Sequence, residues 1–298
     1  MRARLVIVAL AILAGMGRAE SRDTAAKSVR LTSHPANEYH TKWSPDGRSI
    51  LFASERSGRT GIWRVGWPSG ATAAVETSLV GDHHISWSPD GSQIAFDAQS
   101  ESGAPAIWIM PAAGGRARRL AGAGSPSFQP SWSPDGRRIA FASLRSGNSD
   151  LWVVSLEDGE AVRITTHDAA DHHPAWSPDG REILFASDRD GDFDIWQVAS
   201  SGGKAVCLWN HPGQDDHPCC SPDGRWFACT AADSGASVIW LVSRASGASI
   251  PLVRGPGVSW PSWSPDGRRV AYASREAGNQ DVWVIEVPTQ VAKSEGGE

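Results

Sequence analysis

Short apolar runs recur along the chain, and they are apolar at successive positions rather than at every second position. The runs are Ile50-Leu51-Phe52, Ile94-Ala95-Phe96, Ile139-Ala140-Phe141, Ile183-Leu184-Phe185 and Val270-Ala271-Tyr272. A strand that is buried on both faces has this pattern. A segment ending in tryptophan precedes each run, and a second tryptophan segment and a weakly patterned one follow it. The pattern predicts units of four strands in which the second is buried and the fourth is the exposed outer edge.

A tetrapeptide marks the turn between the first two strands of every unit. Ser-Pro-Asp-Gly begins at Ser44, Ser88, Ser133, Ser177, Ser221 and Ser264, in steps of 44, 45, 44, 44 and 43 residues. The tryptophans of the third strands, Trp63, Trp108, Trp152, Trp196, Trp240 and Trp283, follow these serines by 19 residues, or by 20 at Trp108. The tetrapeptide favours a tight turn, and a period of about 40–45 residues is typical of propeller blades. The sequence therefore predicts an all-β fold, a six-bladed β-propeller of four-stranded antiparallel blades.

The two ends of the repeat region complement each other. Val29-Arg30-Leu31-Thr32 matches Val162-Arg163-Ile164-Thr165, which is the fourth strand of an interior unit, while the last unit stops after its third strand, Val282–Ile285. We expect the N-terminal segment to complete the last blade, because this closes the ring and removes an open sheet edge. The predicted propeller spans residues 28–288, between a flexible segment at 20–27 and a disordered tail at 289–298.

The first 19 residues have the features of a secretory signal peptide. Arg2 and Arg4 precede an apolar run of ten residues, Leu5 to Ala14, and Gly17 and Ala19 are small residues placed for cleavage before Glu20. The run is shorter than the roughly 20 apolar residues that a membrane-spanning helix needs. We therefore predict export to the periplasm or secretion, with no integral membrane segment after cleavage.

The repeat resembles the TolB-type β-propeller repeat, also called WD40-like or PD40. The six Ser-Pro-Asp-Gly turns carry the resemblance, together with Trp43, Trp87, Trp132, Trp176 and Trp263 before them and elements such as Asp194-Ile195-Trp196. It covers roughly residues 28–288 and implies the propeller fold rather than one function, because propellers host many functions. TolB carries a further α/β domain before its propeller, and we expect this chain to lack it.

The charge of the chain limits its partners. The net charge is −5, and removal of Arg2, Arg4 and Arg18 with the signal peptide lowers it by three, to −8. No basic stripe remains, so we expect neither nucleic acid nor an anionic membrane surface as a partner. The predicted partner is a protein or peptide, bound by a monomer.

Six residues at equivalent positions of the units form the candidate site. Three residues before the tryptophan position that ends each first strand stand His40, His84, Gln129, His173, His217 and Trp260. Equivalent positions in a closed ring are related by its pseudo-symmetry axis, so side chains that point inward would lie at one level near one channel mouth. All six are candidate ligand-binding or metal-binding residues there, and the four histidines are candidate ligands of a divalent metal.

The alternative hypothesis for these residues is structural. Imidazole is also a good hydrogen-bonding group, and each histidine could bond within its own blade and fix the loop between units. In that case the protein needs no cofactor. A divalent metal is the cofactor that the histidines otherwise suggest.

Two further clusters of residues contain possible metal ligands or possible disulfide partners. Asp188, Asp190, Asp192 and Asp194 alternate as in a calcium loop, but the glycine, Gly191, is at the fourth place instead of the sixth and the twelfth place is Ala199 instead of glutamate. This favours an ordinary loop between the second and third strands. The same loop contains Ser-x-Arg-x-Gly in several units, which we interpret as turn chemistry. The four cysteines, Cys207, Cys219, Cys220 and Cys229, are either small buried thiols or include a Cys220–Cys229 or other disulfide, since export permits one.

The sequence supports two functional hypotheses. The first is a non-enzymatic scaffold in the cell envelope that binds a protein or peptide across one face or at the channel mouth. The second is a channel-mouth enzyme, such as a metal-dependent sugar lyase or hydrolase that uses the histidines. The chain has neither Gly-x-Ser-x-Gly nor His-Glu-x-x-His, so the first hypothesis is preferred.

Overall fold

A computed structural model describes residues 27–77, 79, 81, 84–100, 103–121 and 125–292. The predicted signal peptide lies outside these residues, as do most of segment 20–27 and the end of the tail. The described residues form 24 strands in six antiparallel four-stranded sheets. The prediction of a six-bladed propeller is confirmed.

The strands follow the chain in blade order, after an N-terminal strand β1 (Ser28–Arg30). Blade 1 contains β2 (Glu38–Trp43), β3 (Ser49–Ser54), β4 (Gly61–Gly66) and β5 (Thr72–Val75). Blade 2 contains β6 (Ile85–Trp87), β7 (Gln93–Gln99), β8 (Pro105–Pro111) and β9 (Arg118–Ala121). Blade 3 contains β10 (Ser127–Trp132), β11 (Arg138–Ser143), β12 (Asp150–Ser155) and β13 (Ala161–Arg163).

The second half of the ring repeats the plan. Blade 4 contains β14 (Asp171–Trp176), β15 (Glu182–Ser187), β16 (Asp194–Ala199) and β17 (Val206–Trp209). Blade 5 contains β18 (Asp216–Cys220), β19 (Trp226–Asp233), β20 (Ala236–Ser243) and β21 (Ser249–Gly255). Blade 6 contains β22 (Ser259–Trp263), β23 (Arg269–Ser274) and β24 (Asp281–Glu286), and its fourth strand is β1.

The ring closes as the sequence predicts. Strand β1 pairs antiparallel with β24, with Val29 opposite Val284. The contact continues for two residues beyond β1. The backbone N–H of Leu31 donates to the carbonyl of Val282 at 2.8 Å, and the N–H of Val282 donates to Thr32 Oγ1 at 2.9 Å. Backbone hydrogen bonds therefore join the first described strand to the last.

Neighbouring blades pack face to face, with the second strand of each blade in the middle of the buried surface. All residues of β15 except its first, Glu182, are buried, and β3, β11 and β23 have the same pattern. Ala140 and Leu151 of blade 3 pack with Trp176 and Ile183 of blade 4 in a single cluster. Burial on both faces explains why these strands are apolar at successive positions.

The outer strands are exposed, as predicted. Val29, Val162 and Val206 lie on β1, β13 and β17, and they are 42%, 58% and 46% exposed. An outer strand contacts one neighbouring strand only, so its sequence is less constrained than that of the second strand.

Each Ser-Pro-Asp-Gly turn is held by its own side chains and packs on the turn of the preceding blade. Ser177 Oγ donates to Asp179 Oδ1 at 2.6 Å, and the N–H of Arg181 donates to the same oxygen at 3.1 Å. These hydrogen bonds, that from Ser177 above all, lower the pKa of Asp179. Gly180 has a φ of 69°, and a Cβ there would lie 3.3 Å from Cγ of Pro134 in the turn of blade 3. Glycine is therefore needed both for its backbone conformation and for the packing of the turns.

The C-terminal segment differs from the prediction at its first four residues. A short helix α1 (Thr289–Ala292) follows the last strand. Its Val291 is 3% exposed and packs in the same cluster as Val287 and Trp263. The disordered tail predicted from residue 289 is thus corrected for 289–292, because one apolar residue buries itself against blade 6. No helix in the described part of the chain is long and apolar enough to cross a membrane.

The four cysteines are free thiols in the structure. Cys220 pairs across the hairpin with Phe227, and Cys229 lies opposite Trp240, so these two thiols do not bond to each other. Burial raises the pKa of Cys220 to about 12 and that of Cys219 to about 11. The hypothesis of small buried thiols therefore fits Cys229 and the half-buried Cys219 and Cys220, which remain protonated near neutral pH, whereas Cys207 is exposed.

Candidate functional site at the channel mouth

Five of the six predicted ring residues lie at β-bulges in the first strand of their blades; the sixth, His84, directly precedes β6. In blade 4 the pairing of β14 with β15 shifts between His172 and Ala175, which brackets His173. The same shift occurs in blades 1, 3, 5 and 6. Five ring residues have a positive φ, between 50° and 59°, although none is glycine: His40, Gln129, His173, His217 and Trp260. This conformation is uncommon for such residues, and a bulge re-aims the side chains beside it.

All six ring side chains line one small cavity at the end of the channel. The cavity has a volume of about 50 Å³ and is lined by His40, His84, Gln129, His173, His217 and Trp260, with Lys42, Ile85 and the four prolines that follow ring residues. The imidazole centroids of His40 and His84 are 4.1 Å apart, those of His84 and His173 are 5.4 Å apart, and those of His173 and His217 are 4.2 Å apart. The equivalent positions therefore converge on the axis.

Hydrogen bonds fix two of the four histidines. His84 Nδ1 is 3.0 Å from Asp97 Oδ2 within blade 2. His173 Nδ1 is 2.5 Å from Asp216 Oδ1 of blade 5, and its Nε2 is 2.7 Å from Nε2 of Gln129 in blade 3. The hydrogen bond between His84 and Asp97 lies within one blade, as the structural hypothesis expects. His173 instead links three blades across the mouth.

Two charged residues of the site were missed by the sequence interpretation. Asp97 stands in a second strand at a position where four of the other five blades have alanine, for example Ala53 and Ala186. The sequence signal that could have revealed Asp97 is a single acidic residue in an otherwise apolar strand. Lys42 lies two residues after His40, below the ring, where the other blades carry serine, alanine or cysteine.

Burial controls the charge states at the mouth. It lowers the pKa of His217 to about 3 and also lowers the pKa of the Lys42 ammonium. Burial would raise the pKa of Asp97 and Asp216, but His84 outweighs it at Asp97, and His217 and His173 outweigh it at Asp216, so both acids lie below their ordinary range. Near neutral pH the mouth therefore holds two ionised acids, each beside a histidine, and a neutral His217.

Two polar atoms at the mouth have no hydrogen-bond partner among the described residues. His217 Nδ1 and Trp260 Nε1 are buried without a hydrogen bond. Buried polar atoms are normally satisfied, and an unsatisfied one in a native structure requires an explanation. A group that entered the cavity from outside would be able to supply the missing partners.

A metal would find some but not all of its predicted ligands available. Nitrogen or oxygen atoms of His173, Asp216 and His217 lie within 4.8 Å of one another, a spacing that a metal ion could bridge. Both ring nitrogens of His173 are already engaged, however, by Asp216 and Gln129. His217 is the ligand that fits best, since it is neutral and its Nδ1 is unpaired.

The sequence profile of the PD40 family, the TolB beta propeller domain, matches residues 86–294. The chain belongs to the TolB β-propeller family. No curated protein sequence matches it significantly.

Solved structures agree with the TolB family assignment. A protein assigned to TolB from Agrobacterium tumefaciens is 26% identical, with a TM-score of 0.74, over 87% of this chain and 93% of that one. TolB from Acinetobacter baumannii is 23% identical, with a TM-score of 0.65, and the match covers 88% of this chain and 64% of that one. An oligogalacturonate lyase from Vibrio parahaemolyticus is 14% identical, with a TM-score of 0.61, over 91% and 96% of the two chains. The last two show likeness of fold alone.

Proposed function

We propose that the protein is an exported, non-catalytic propeller that binds a protein or peptide partner over the channel mouth. The partner places one side chain or its chain end in the cavity that the six ring residues line. The observation that carries this proposal is the size and lining of that cavity. Export to the periplasm or the exterior is part of the proposal and is supported by the N-terminal sequence.

The volume of the cavity favours binding of a small group over turnover of a sugar. Pockets that enclose a small-molecule ligand measure about 300–1,000 Å³. A cavity of about 50 Å³ holds a few water molecules, a small ion or the end of a side chain. The cavity is smaller than pockets that enclose small-molecule ligands, which favours the end of a side chain over a whole sugar ring as its occupant.

The lining favours a group that accepts hydrogen bonds. The indole N–H of Trp260 is an unpaired donor, and Lys42 offers an ammonium group below the ring. A carboxylate or carbonyl group of the partner would accept from both donors. Its burial would satisfy the indole N–H, which otherwise costs about 1–3 kcal/mol.

The test is a pull-down from envelope extract with the tagged protein as bait, followed by mass spectrometry and titration of the captured partner. Trp260→Asn removes the indole N–H and supplies a side chain that tolerates a positive φ. We expect this variant to lose at least about ten-fold in affinity, equivalent to about 1.4 kcal/mol.

Arg181→Ala is the matched control. Arg181 directly follows the Ser-Pro-Asp-Gly turn at the opposite end of the first strand, and its side chain is 85% exposed. The Arg181→Ala variant should bind the partner with the same affinity as the unchanged protein. Equal affinity of all three proteins would place the partner elsewhere and overturn the proposal.

A metal ion at the mouth is the second candidate, favoured by the spacing of His173, Asp216 and His217. Imidazole and carboxylate together suit a transition metal such as zinc or nickel. Titration of the purified protein with zinc should then show saturable binding that His217→Asn abolishes. Absence of binding near neutral pH would leave only the peptide-binding proposal.

A further inference from the structure

A second ring of equivalent residues lies in the channel, two residues beyond the ring residues of the mouth and towards the Ser-Pro-Asp-Gly turns. It holds the residue just before the last residue of each first strand. We call these residues the inner ring: Lys42, Ser86, Ser131, Ala175, Cys219 and Ser262. All six line one cavity at the turn end of the channel, opposite the mouth. The closed ring thus brings a second set of equivalent positions together.

The cavity at the turn end has the size and the walls of a small-molecule site. Its volume is about 280 Å³, close to the lower end of the roughly 300–1,000 Å³ of ligand pockets. Beyond the inner ring, its walls include Trp132, Trp176 and Trp263 and prolines of the turns such as Pro134 and Pro178. A ligand that enters here meets an apolar wall and, further in, the polar inner ring.

Backbone acceptors of the inner ring are already used. In three blades the carbonyl of the inner-ring residue accepts the indole N–H of the following blade, from Trp87 to Lys42 at 3.2 Å, from Trp176 to Ser131 at 3.0 Å and from Trp263 to Cys219 at 3.2 Å. These hydrogen bonds hold the inner ring in place, and they leave its side chains to determine what the cavity binds.

The serine hydroxyls of the inner ring are available as donors. Ser262 Oγ accepts the backbone N–H of Trp43 at 3.0 Å, and Ser86 Oγ accepts that of Trp132 at 2.9 Å. A hydroxyl that accepts a hydrogen bond still has its own proton to donate. The inner ring contains no acid, so its hydroxyls favour a ligand that accepts hydrogen bonds.

Lys42 adds a positive charge that lacks a counter-ion. Its ammonium forms no ion pair with another described residue, and burial lowers its pKa. A Cys219 thiolate would raise that pKa again, but burial raises the pKa of this thiol to about 11, so it is uncharged near neutral pH. The acids of the mouth, Asp97 and Asp216, are each engaged by a histidine. An unpaired charge inside a protein is costly, and a bound anion relieves that cost.

We propose that the inner ring binds the carboxylate of a small organic acid, whose apolar body lies against the tryptophans and prolines of the cavity wall. Lys42 supplies the charge and the serine hydroxyls supply further donors, which suits a carboxylate rather than a cation. The apolar walls favour an organic acid over an inorganic anion, because burial of hydrocarbon surface adds to the affinity. The ligand enters from the turn end, so the site does not depend on a partner at the mouth.

The test is a calorimetric titration of the purified protein near neutral pH with benzoate and with hexanoate. We expect saturable binding with a Kd of about 1 mM or below, which buried ligands of this size can reach. Benzamide has the shape of benzoate without the charge, and inorganic phosphate has charge without an apolar body. Both should bind at least about ten-fold more weakly than benzoate. No partner is present, so failure of this test leaves the proposal for the mouth unaffected.

Three variants locate the site. Lys42→Met keeps an unbranched side chain, and it should weaken benzoate binding at least about ten-fold without lowering the Tm, because it removes an unpaired charge. Arg181→Ala is the matched control, since it removes an exposed positive charge next to a turn, and it should bind benzoate as the unchanged protein does. Ala175→Phe fills the cavity from blade 4 and should abolish benzoate binding. The Tm of each variant checks that it is folded.

The proposal is overturned if neither benzoate nor hexanoate binds at up to about 10 mM, about ten times the weakest expected Kd. It is equally overturned if benzamide or inorganic phosphate binds as tightly as benzoate, or if Lys42→Met binds benzoate as the unchanged protein does. Benzoate binding that survives in folded Ala175→Phe would place the ligand elsewhere, with the same consequence.

Discussion

The interface between blades 3 and 4 and the interface between blades 4 and 5 share one backbone arrangement and differ in charge. At the first, Asp150 and Asp171 each contact an arginine. At the second, Asp194 and Asp215 occupy the same places with none. The ring symmetry fixes where a buried carboxylate pair lies, and substitutions on two surrounding segments decide whether it is neutral. The comparison teaches that a repeat fold can keep its geometry and still leave one pair of buried acids without a counter-charge.

The largest effect should come from breaking the neutral interface. Arg189→Ala removes the partner of Asp171 and also a guanidinium that stacks 4.6 Å over the ring of Trp196. Because the side chain of Asp171 is fully buried, its lone charge should cost about 3–5 kcal/mol of unfolding free energy. Urea unfolding near neutral pH measures the loss.

Asp233→Ala is the control at the equivalent position of the other interface. Asp233 pairs with Arg254 on the surface, and an exposed ion pair contributes about 0–1 kcal/mol. A loss at Asp233 as large as that at Arg189 would mean that the two interfaces are not electrostatically different.

The second prediction concerns the pH dependence of stability. The folded protein holds the pKa of Asp215 at about 8, well above the value of roughly 3.9 in an unfolded chain. The folded state thus prefers the protonated acid, and its stability falls as the pH rises from about 4 towards 8. Asp215→Asn removes this dependence and should be more stable than the unchanged protein at pH 8, by an amount on the order of a few kcal/mol.

Asp171→Asn, at the interface between blades 3 and 4, should change the stability at pH 8 in the opposite direction from Asp215→Asn. Asp171 has Arg189 beside it, so loss of its charge leaves a buried guanidinium unpaired and destabilises the protein at pH 8. Thermal unfolding of both variants between pH 5 and pH 8 checks the two signs. Destabilisation by both substitutions would contradict the difference between the interfaces.

The fold was predictable from the sequence because it rests on period and strand pattern. The six Ser-Pro-Asp-Gly turns fixed the number of blades, and the match of Val29–Thr32 to an interior fourth strand predicted the closure that β1 and β24 form. The ring residues were found in the same way, since equivalent positions of a closed ring meet at its axis. None of these inferences required knowledge of a contact between blades.

The charged contacts were not predictable in this way. The arginine of the Ser-x-Arg-x-Gly loop was interpreted as turn chemistry, but Arg189 reaches an acid 18 residues earlier and stacks on Trp196. Lys42 and Asp97 were missed because each occurs in a single blade. Such contacts depend on which side chains meet across a blade interface or the channel, and a repeat pattern in one dimension does not contain that information.

The smallest effect should come from the ring itself. His40 has a φ of 58°, and its ring lies 4.1 Å from that of His84 and 4.7 Å from that of Trp260. His40→Asn keeps a side chain that tolerates this backbone conformation and gives up those ring contacts. We expect the unfolding free energy to change by less than about 1 kcal/mol, far less than for Arg189→Ala, as is usual away from buried charges and core cavities. If His40→Asn instead lowered the unfolding free energy as much as Arg189→Ala does in the same urea experiment, the six ring residues would hold the blades together. Their positive φ would then need no ligand to explain it.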